Sequence, residues 1–254
     1  MGDRATMSMV RAALDRKDVM LAFQPVVQTG KSDPPAFYEG YIRVLDENGK
    51  IIPARDFMGV VETDEVGRII DCLSLEMGLQ ALARSDKLRI AVNMSARSIA
   101  YPAWMRTLRQ GLRATPSAAE RLILEISEES AMIMPDVLLV FMRDLQKMGI
   151  SFALDNFGAG MTSFKFLKSF MFDLVKIDGQ FIRGIADNAD NRCLTKAIAA
   201  FASHFDMLTV AESVENERDA RVLAEIGIHC LQGYYYGAPT VTPPWIQPKQ
   251  KVRA

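Results

Sequence analysis

The sequence predicts an α/β fold in which eight strands close into a (β/α)8 barrel, and three observations support this. Eight short β-rich segments can be recognised, and from the third onward they alternate with helical patterns. Several of these segments end on a polar residue able to hold a cation or a phosphate, as strands do at the active face of a barrel. The chain has 254 residues, 49% of them hydrophobic, which suits one such barrel. We therefore expect a single domain over residues 1–246 and a polar, disordered tail over 247–254.

The first two strand-like segments, residues 19–27 and 36–45, differ from the others. The segment between them, TGKSDPP, is too short for the crossover that parallel neighbours need, so it predicts an antiparallel hairpin. Residues 46–62 read as a turn at Glu47, Asn48 and Gly49 followed by a helix from near Asp56. The expected architecture is a TIM-like barrel with one antiparallel strand, contributed by this N-terminal hairpin.

The remaining strand-like segments are separated by stretches long enough for a helix and a return to the same sheet edge. They are residues 88–93, 121–127, 150–155, 173–178, 207–213 and 228–236. Residues 131–149 and 191–205 have the apolar spacing of helices laid on a sheet. Parallel packing of these strands follows. We assign Phe164, Phe166, Phe170 and Phe172 to the core.

Composition excludes several classes of function. Lys+Arg number 30 against Asp+Glu 31, so no broad positive field would attract DNA, RNA or an anionic membrane. No apolar stretch approaches the roughly 20 residues of a membrane span. Cys72, Cys193 and Cys230 lie far apart in apolar contexts and read as core thiols, which implies a reducing cytoplasm. With 2 His residues in the chain, a metal site would be oxygen-rich and suited to Mg²⁺ or Mn²⁺.

The polar strand ends form the candidate site. They are Glu39 inside the second strand-like segment, and Asn93, Glu125, Asp155, Lys176, Asp178, Glu212 and Gln232 at the ends of later ones. In a barrel these ends surround one cavity, where the acids and Asn93 would supply oxygen donors for a hard cation. Lysine could orient a water or a phosphate oxygen, and a carboxylate could accept the proton of an attacking water. Taken singly, each acid could instead cap the next helix or pair with a surface base.

Several motifs give this chain a family resemblance. In order and spacing, FQPVV, YEGYIRV, VNMSARSI, LEISEES, the run from ALDNFGAG to VKIDGQFI, AESVEN and LQGYYYGAP resemble the EAL domain family across essentially the whole chain. The resemblance implies a phosphodiesterase that linearises cyclic di-GMP to pGpG with one or two Mg²⁺ or Mn²⁺ ions. It also implies a homodimer in bacterial second-messenger signalling.

The resemblance assigns roles to residues at matching positions. The implied metal ligands are Glu39, Asn93, Glu125, Asp155 and Asn156, with Asp178 as a further candidate. The implied catalytic residues are Lys176, which contacts the attacking water, Glu212, as general base or second-metal ligand, and Glu128. Glu128 and the loop at residues 157–163 would link metal binding, catalysis and dimer contacts. The implied substrate-binding residues are Gln24, Pro25, Arg43 and Gln232.

The chain departs from the family pattern at two places. The signature tripeptide reads Glu39-Gly40-Tyr41, which keeps the acid and alters the packing behind it. Asn156 stands where the family carries a second aspartate, so one formal negative charge is lost and binding of a second ion should weaken.

Three functions remain open at this point. The first is a cyclic di-GMP phosphodiesterase weakened by Asn156. The second is a catalytically inactive receptor that binds cyclic di-GMP and signals to a regulatory protein partner. The third is a barrel that enolises a carboxylate substrate; such enzymes usually add a capping domain, whereas we expect these residues to be all barrel. Guanine bases could stack on Phe23 or on the tyrosines at 234–236, although such aromatics more often pack in the barrel.

Overall fold

The computed structural model describes residues 2–31, 33–160 and 170–246 of the chain. Within these residues nine strands form one sheet in the order β1-β9-β8-β7-β6-β5-β4-β2-β3, and pairing of β1 with β2 closes it. The strands are β1 Val19–Gln28, β2 Phe37–Leu45, β3 Ile51–Pro53, β4 Ile90–Asn93, β5 Leu122–Ser127, β6 Ser151–Phe157, β7 Leu174–Ile177, β8 Leu208–Ala211 and β9 Cys230–Gln232. The predicted α/β barrel is confirmed.

Helices cover the outside of the sheet. They are α1 Asp3–Arg16, α2 Met58–Val61, α3 Glu65–Arg84, α4 Pro102–Ala114, α5 Glu128–Ala131, α6 Pro135–Gln146, α7 Gly179–Ile182, α8 Ala189–His204 and α9 Glu217–Ile226. Short 3-10 helices lie at Ala54–Asp56, Ala96–Ala100, Pro116–Arg121 and Ile185–Asp187. In α4, Trp104, Leu108 and Leu112 recur every fourth residue and are buried. Each such side chain stabilises the fold by about 1.5–3 kcal/mol.

The N-terminal hairpin supplies the antiparallel strand that the short loop predicts. Strand β1 runs antiparallel to both of its neighbours, β2 and β9, whereas the other barrel pairings are parallel. The segment after β2 differs from its prediction. The turn at residues 47–49 leads into β3, which pairs with the end of β2, and α2 begins at Met58 rather than near Asp56. The Asp46 carboxylate tightens this turn by accepting from the backbone N–H groups of Asn48 and Lys50, so the chain returns along β2.

The barrel interior is built in layers. One buried apolar cluster takes one residue from each of the eight barrel strands, namely Val26, Phe37, Ala91, Ile123, Ala153, Leu174, Val210 and Cys230. Alternate residues of a strand point to the same side of the sheet. The next inward layer therefore lies two residues further along each parallel strand and two residues earlier on the antiparallel β1.

Other predictions about the core have mixed outcomes. Phe170 and Phe172 are buried, and Phe164, Phe166 and the tail at 247–254 lie outside the described residues. Cys230 is buried and Cys72 half-buried, but Cys193 is exposed, so its assignment as a core thiol was wrong. Cys193 lies on α8, which covers the sheet with one face and leaves the other in solvent. Among the described helices, none combines the length and apolar character that a bilayer crossing requires.

Candidate active site

A ring of eight polar side chains occupies the layer above the apolar cluster. The ring consists of Gln24, Glu39, Asn93, Glu125, Asp155, Lys176, Glu212 and Gln232, each two residues from an apolar residue of the layer below. Six of them are buried, whereas Asn93 is exposed and Glu212 is half-buried. Side chains alternate between the two faces of each strand, and the strand ends surround one cavity. The barrel therefore brings these polar groups together without a contribution from the loops.

Lys176 lies at the centre of this ring and is fully buried. Its Nζ lies 2.7 Å from Glu39 Oε2, 2.9 Å from Glu125 Oε2, 3.1 Å from Asp155 Oδ1 and 2.9 Å from Glu212 Oε1. Strand β7 stands four strands from β2 in either direction around the barrel. The long lysine side chain thus spans the barrel, and one ammonium group faces four carboxylates.

This excess of acids shifts the pKa values of the ring. Burial opposes ionisation of Glu39, but the charge and hydrogen bond of Lys176, with a hydrogen bond from Gln232, lower its pKa to about 2. Burial and then repulsion from Glu39 raise the pKa of Glu125 well above its usual range. Burial, against the attraction of Lys176, raises the pKa of Glu212 to about 8. Burial favours the neutral amine of Lys176, yet the four carboxylates raise its pKa well above normal. One lysine does not neutralise the site.

The donor set of the ring suits a hard divalent cation. Glu125 Oε1 and Asp155 Oδ1 are buried and, among the described residues, accept no hydrogen bond, although Asp155 Oδ1 forms the ion pair with Lys176. Carboxylate and amide oxygens are the ligands preferred by Mg²⁺ and Mn²⁺. In the described part of the chain no three acidic, His or Cys side chains are already spaced to hold an ion. The ammonium of Lys176 occupies the point on which the carboxylates converge.

Tyr41, the second of the two altered residues in the signature tripeptide, joins the ring. Its hydroxyl donates to Glu39 Oε2 at 2.8 Å and accepts from Gln232 Nε2 at 3.1 Å. Gln232 Nε2 also donates to Glu39 Oε2, at 2.7 Å, and Asn93 Nδ2 donates to Glu39 Oε1 at 3.0 Å. Both oxygens of Glu39 are therefore held by neutral donors in addition to Lys176. Sequence analysis treated this position as packing and missed the hydroxyl.

A cavity of about 1070 Å³ opens above the ring. Arg43, on β2, lines it with its guanidinium carbon 5.5 Å from the centre of the Tyr41 ring. Gln24 also lines it and donates to the carbonyl oxygen of Gly237. Pro25 does not line it. As the next residue along β1, Pro25 points to the other side of the strand and lies against Gly237, so its assignment to the substrate site stays a prediction.

Asn156 and Glu128 surround the end of β6. Asn156 lines the cavity and donates from Nδ2 to Asp155 Oδ2 at 2.8 Å. Glu128 is buried at the start of α5, and its Oε2 accepts from the backbone N–H groups of Gly158, at 2.8 Å, and Gly160, at 3.4 Å. These contacts support a role for Glu128 in positioning the loop, and its assignment to catalysis stays a prediction. Residues 161–163 of the predicted loop lie outside the described residues.

Asp178 does not join the ring. The strand ends at Ile177, and the Oδ1 atom of Asp178 caps α7 by accepting from the backbone N–H of Gln180 at 2.7 Å. An acid directly after a strand can serve as a helix N-cap, and Asp178 does so here, whereas its candidate role as a metal ligand stays a prediction.

Asp71, on α3, is a buried carboxylate outside the ring that was not predicted from the sequence. Asp71 Oδ2 accepts from the backbone N–H of Ser95 at 2.9 Å and from Ser98 Oγ at 2.5 Å. Burial raises the pKa of Asp71 to about 6, against these hydrogen bonds. Asp71 lies in the wall of the cavity and fixes the loop that follows Asn93. The sequence feature that could have indicated this is a single aspartate within an otherwise apolar helical pattern.

Comparisons with known proteins agree with this geometry. The family model described as "EAL domain" matches residues 7–239. The chain is 31% identical over 239 residues to cyclic di-GMP phosphodiesterase PdeF of Escherichia coli (strain K12), covering 92% of this chain and 32% of the relative. It is 30% identical to the bifunctional diguanylate cyclase/cyclic di-GMP phosphodiesterase MucR of Pseudomonas aeruginosa, covering 91% and 34%. The chain spans about a third of the length of these curated relatives.

Solved structures share the fold. The MucR phosphodiesterase of Pseudomonas aeruginosa in complex with c-di-GMP superposes with a TM-score of 0.80 at 29% identity, covering 93% of this chain and 97% of that one. The FimX EAL domain of Pseudomonas aeruginosa bound to c-di-GMP has a TM-score of 0.83 at 24% identity, covering 92% and 96%, and supports the fold.

Proposed function

This chain belongs to the EAL domain family, and on that premise we propose that it hydrolyses cyclic di-GMP to linear pGpG with Mg²⁺ or Mn²⁺. One observation carries the proposal: four carboxylates converge on Lys176 at the floor of a cavity that Arg43 also lines. An acidic floor suits cations, and a guanidinium in the wall suits a phosphate.

Each residue has a defined part in this reaction. Glu39, Asn93, Glu125 and Asp155 would hold a divalent ion, which when bound would neutralise phosphate charge and activate water. Arg43 would bind a phosphodiester through its guanidinium. Glu212 would accept the proton of the attacking water, since its carboxylate lies in the ring and lines the cavity. The water oxygen adds to phosphorus and the bond from phosphorus to O3′ breaks. The departing O3′ takes up a proton from solvent to become a hydroxyl, the phosphate stays on the 5′ oxygen, and pGpG results.

A second candidate function is a receptor that binds cyclic di-GMP without turnover. The Asn156 side chain favours it, because an amide replaces a carboxylate and its N–H already engages Asp155. A weakened site for a second ion would lower catalysis while leaving the cavity intact. A homodimer, a regulatory protein partner and a cytoplasmic location remain predictions from the sequence.

Product analysis distinguishes the two candidates. The parent protein, Asn156→Asp and Glu212→Gln would each be incubated with cyclic di-GMP and Mg²⁺ or Mn²⁺, and the products separated by chromatography. We expect slow formation of pGpG by the parent, faster formation by Asn156→Asp and none by Glu212→Gln. Binding without product in the parent, with turnover gained in Asn156→Asp, would favour the receptor. Absence of both binding and product in the parent would refute both.

A further inference from the structure

A second polar side chain follows Glu212 into the cavity. Ser213 has φ of 57°, in the left-handed region that non-glycine residues seldom adopt. Consecutive residues of a regular strand point to opposite sides, but Glu212 and Ser213 both line the cavity. The left-handed turn makes this possible. Asn156, with φ of 55°, repeats the arrangement directly after Asp155.

Gly179, at the start of α7, leaves room for Ser213. A Cβ atom built on Gly179 would overlap Ser213 Oγ and lie 2.8 Å from Ser213 Cβ and 3.2 Å from Arg183 Nη2. Such distances to a Cβ atom are too short to be accommodated without movement. The absence of a side chain at 179 therefore permits Ser213 and Arg183 to meet.

Arg183 is held at the cavity by this contact. Its Nη2 donates to Ser213 Oγ at 2.9 Å, and its Nε lies 3.9 Å from Glu215 Oε1. The guanidinium carries five N–H donors, and among the described residues Ser213 Oγ is the hydrogen-bond acceptor it has. Its side chain is 60% exposed and lines the cavity. A fixed guanidinium with spare donors is suited to an anionic oxygen.

The positions of Arg183 and Arg43 indicate what kind of anionic ligand the two could bind together. Arg43 lies on β2, and Arg183 follows β7, the strand opposite β2 in the barrel. Arg55 and Arg97 also line the cavity, but they follow β3 and β4, on the same side as Arg43. A cyclic dinucleotide carries two phosphodiesters on opposite sides of its ring. The two guanidiniums are therefore placed for a ligand with two separated phosphates.

We propose that Arg183, positioned by Ser213, binds the second phosphodiester of the cyclic dinucleotide, the one not attacked at the acidic ring. The proposal rests on the proposed function, since it takes the same ligand in the same cavity. It assigns Arg183 to substrate binding and Ser213 to the positioning of Arg183, and it gives neither residue a part in proton transfer or ion binding.

Calorimetric titration tests the proposal. The variants are Arg183→Gln, Arg183→Lys, Ser213→Ala and the Arg183→Gln/Ser213→Ala double variant. For each, the affinity for cyclic di-GMP would be measured in the presence of EDTA, and the affinity for Mn²⁺ in a separate titration. The KM for cyclic di-GMP would be measured with Mn²⁺ present. Arg218→Gln is the matched control, because Arg218 is 70% exposed, pairs with Asp187 and does not line the cavity.

We expect Arg183→Gln to weaken binding about 10- to 100-fold, the range of a hydrogen bond to a charged group. Arg183→Lys should recover part of the loss, and Ser213→Ala should lose several-fold. The double variant should bind like Arg183→Gln alone, because Ser213 acts through Arg183. Mn²⁺ affinity should not change. Binding by Arg183→Gln within about twofold of the parent and Arg218→Gln would overturn this inference alone. A parent that neither binds nor hydrolyses cyclic di-GMP would refute the proposed function as well.

Discussion

Removing the central ammonium group is the most direct perturbation of this site. The Lys176→Met substitution keeps a long apolar side chain but leaves Glu39, Glu125, Asp155 and Glu212 without their shared cation. Removing one partner of a buried ion pair costs about 3–5 kcal/mol, because an uncompensated charge remains. Lys176 is fully buried, so solvent does not screen this loss. We expect a destabilisation of about 3–5 kcal/mol at pH 7.5.

Urea unfolding followed by circular dichroism measures this difference by linear extrapolation. The matched control is Lys147→Met, since Lys147 pairs with Asp144 on the surface, where both side chains are more than half exposed. That pair should contribute less than about 1 kcal/mol. The two variants remove the same charge and differ in burial.

A divalent cation should substitute for the missing ammonium. If Mn²⁺ binds the carboxylates of Lys176→Met, a concentration 100 times its Kd should restore about 2.7 kcal/mol. A variant that folds only when Mn²⁺ is present would be the limiting form of the same result. The reasoning is refuted if Lys176→Met loses less than about 1 kcal/mol, or if Mn²⁺ stabilises it no more than it stabilises Lys147→Met.

Three further substitutions test the surroundings of the ring. Asp71→Asn keeps an oxygen acceptor but removes the titrating carboxyl group. The pKa of Asp71 is about 6 in the folded protein, above its value in the unfolded chain. The contribution of this carboxyl group to stability is therefore present below about pH 4 and lost as the pH rises through 6. As the pH rises from 4 to 8, the free energy of unfolding of the variant should therefore increase by about 3 kcal/mol relative to that of the parent. Urea unfolding at each pH measures this difference, and a difference that does not depend on pH would contradict the prediction. Tyr41→Phe removes a donor to Glu39 and should weaken Mn²⁺ binding about 10-fold by calorimetry; unchanged affinity would show that the hydroxyl does not orient the ligand. Ser213→Gly should raise the free energy of unfolding by up to about 1 kcal/mol while weakening cyclic di-GMP binding several-fold, and loss of stability would argue against backbone strain there.

The barrel and the polar ring were predictable because both follow from short-range rules. A period of two along each strand separates the apolar layer from the polar one, so a residue such as Glu125 follows the inward Ile123 by two positions. By the same rule Pro25, which is adjacent to the inward Gln24, points to the other side of the strand. The short loop before β2 likewise fixed the antiparallel pairing.

The sequence was less informative where the chain leaves the strands. Asp178 and Glu128 both come directly after a strand. Asp178 caps a helix, and Glu128 binds the backbone of a loop. These alternatives depend on where the next helix begins, which strand periodicity does not determine. Strand β3 is short and depends on its pairing with β2, so its three residues carried little signal of their own. Arg183 could not be linked to Ser213 from the sequence, because 30 residues separate them and their contact requires Gly179.

Asn156 and Ser213, the two left-handed residues beside the ring, distinguish a requirement of the backbone from a requirement for a side chain in the cavity. Glycine adopts such a conformation without steric cost, so a backbone requirement alone would favour glycine at both positions. The chain has Asn156 and Ser213 there instead; a non-glycine residue in this region costs of order 1–3 kcal/mol, and an asparagine less. Each side chain makes a hydrogen bond that glycine would lose, from Asn156 to Asp155 and from Arg183 to Ser213. The strain is therefore accepted for the side chains, and both of them lie in the cavity.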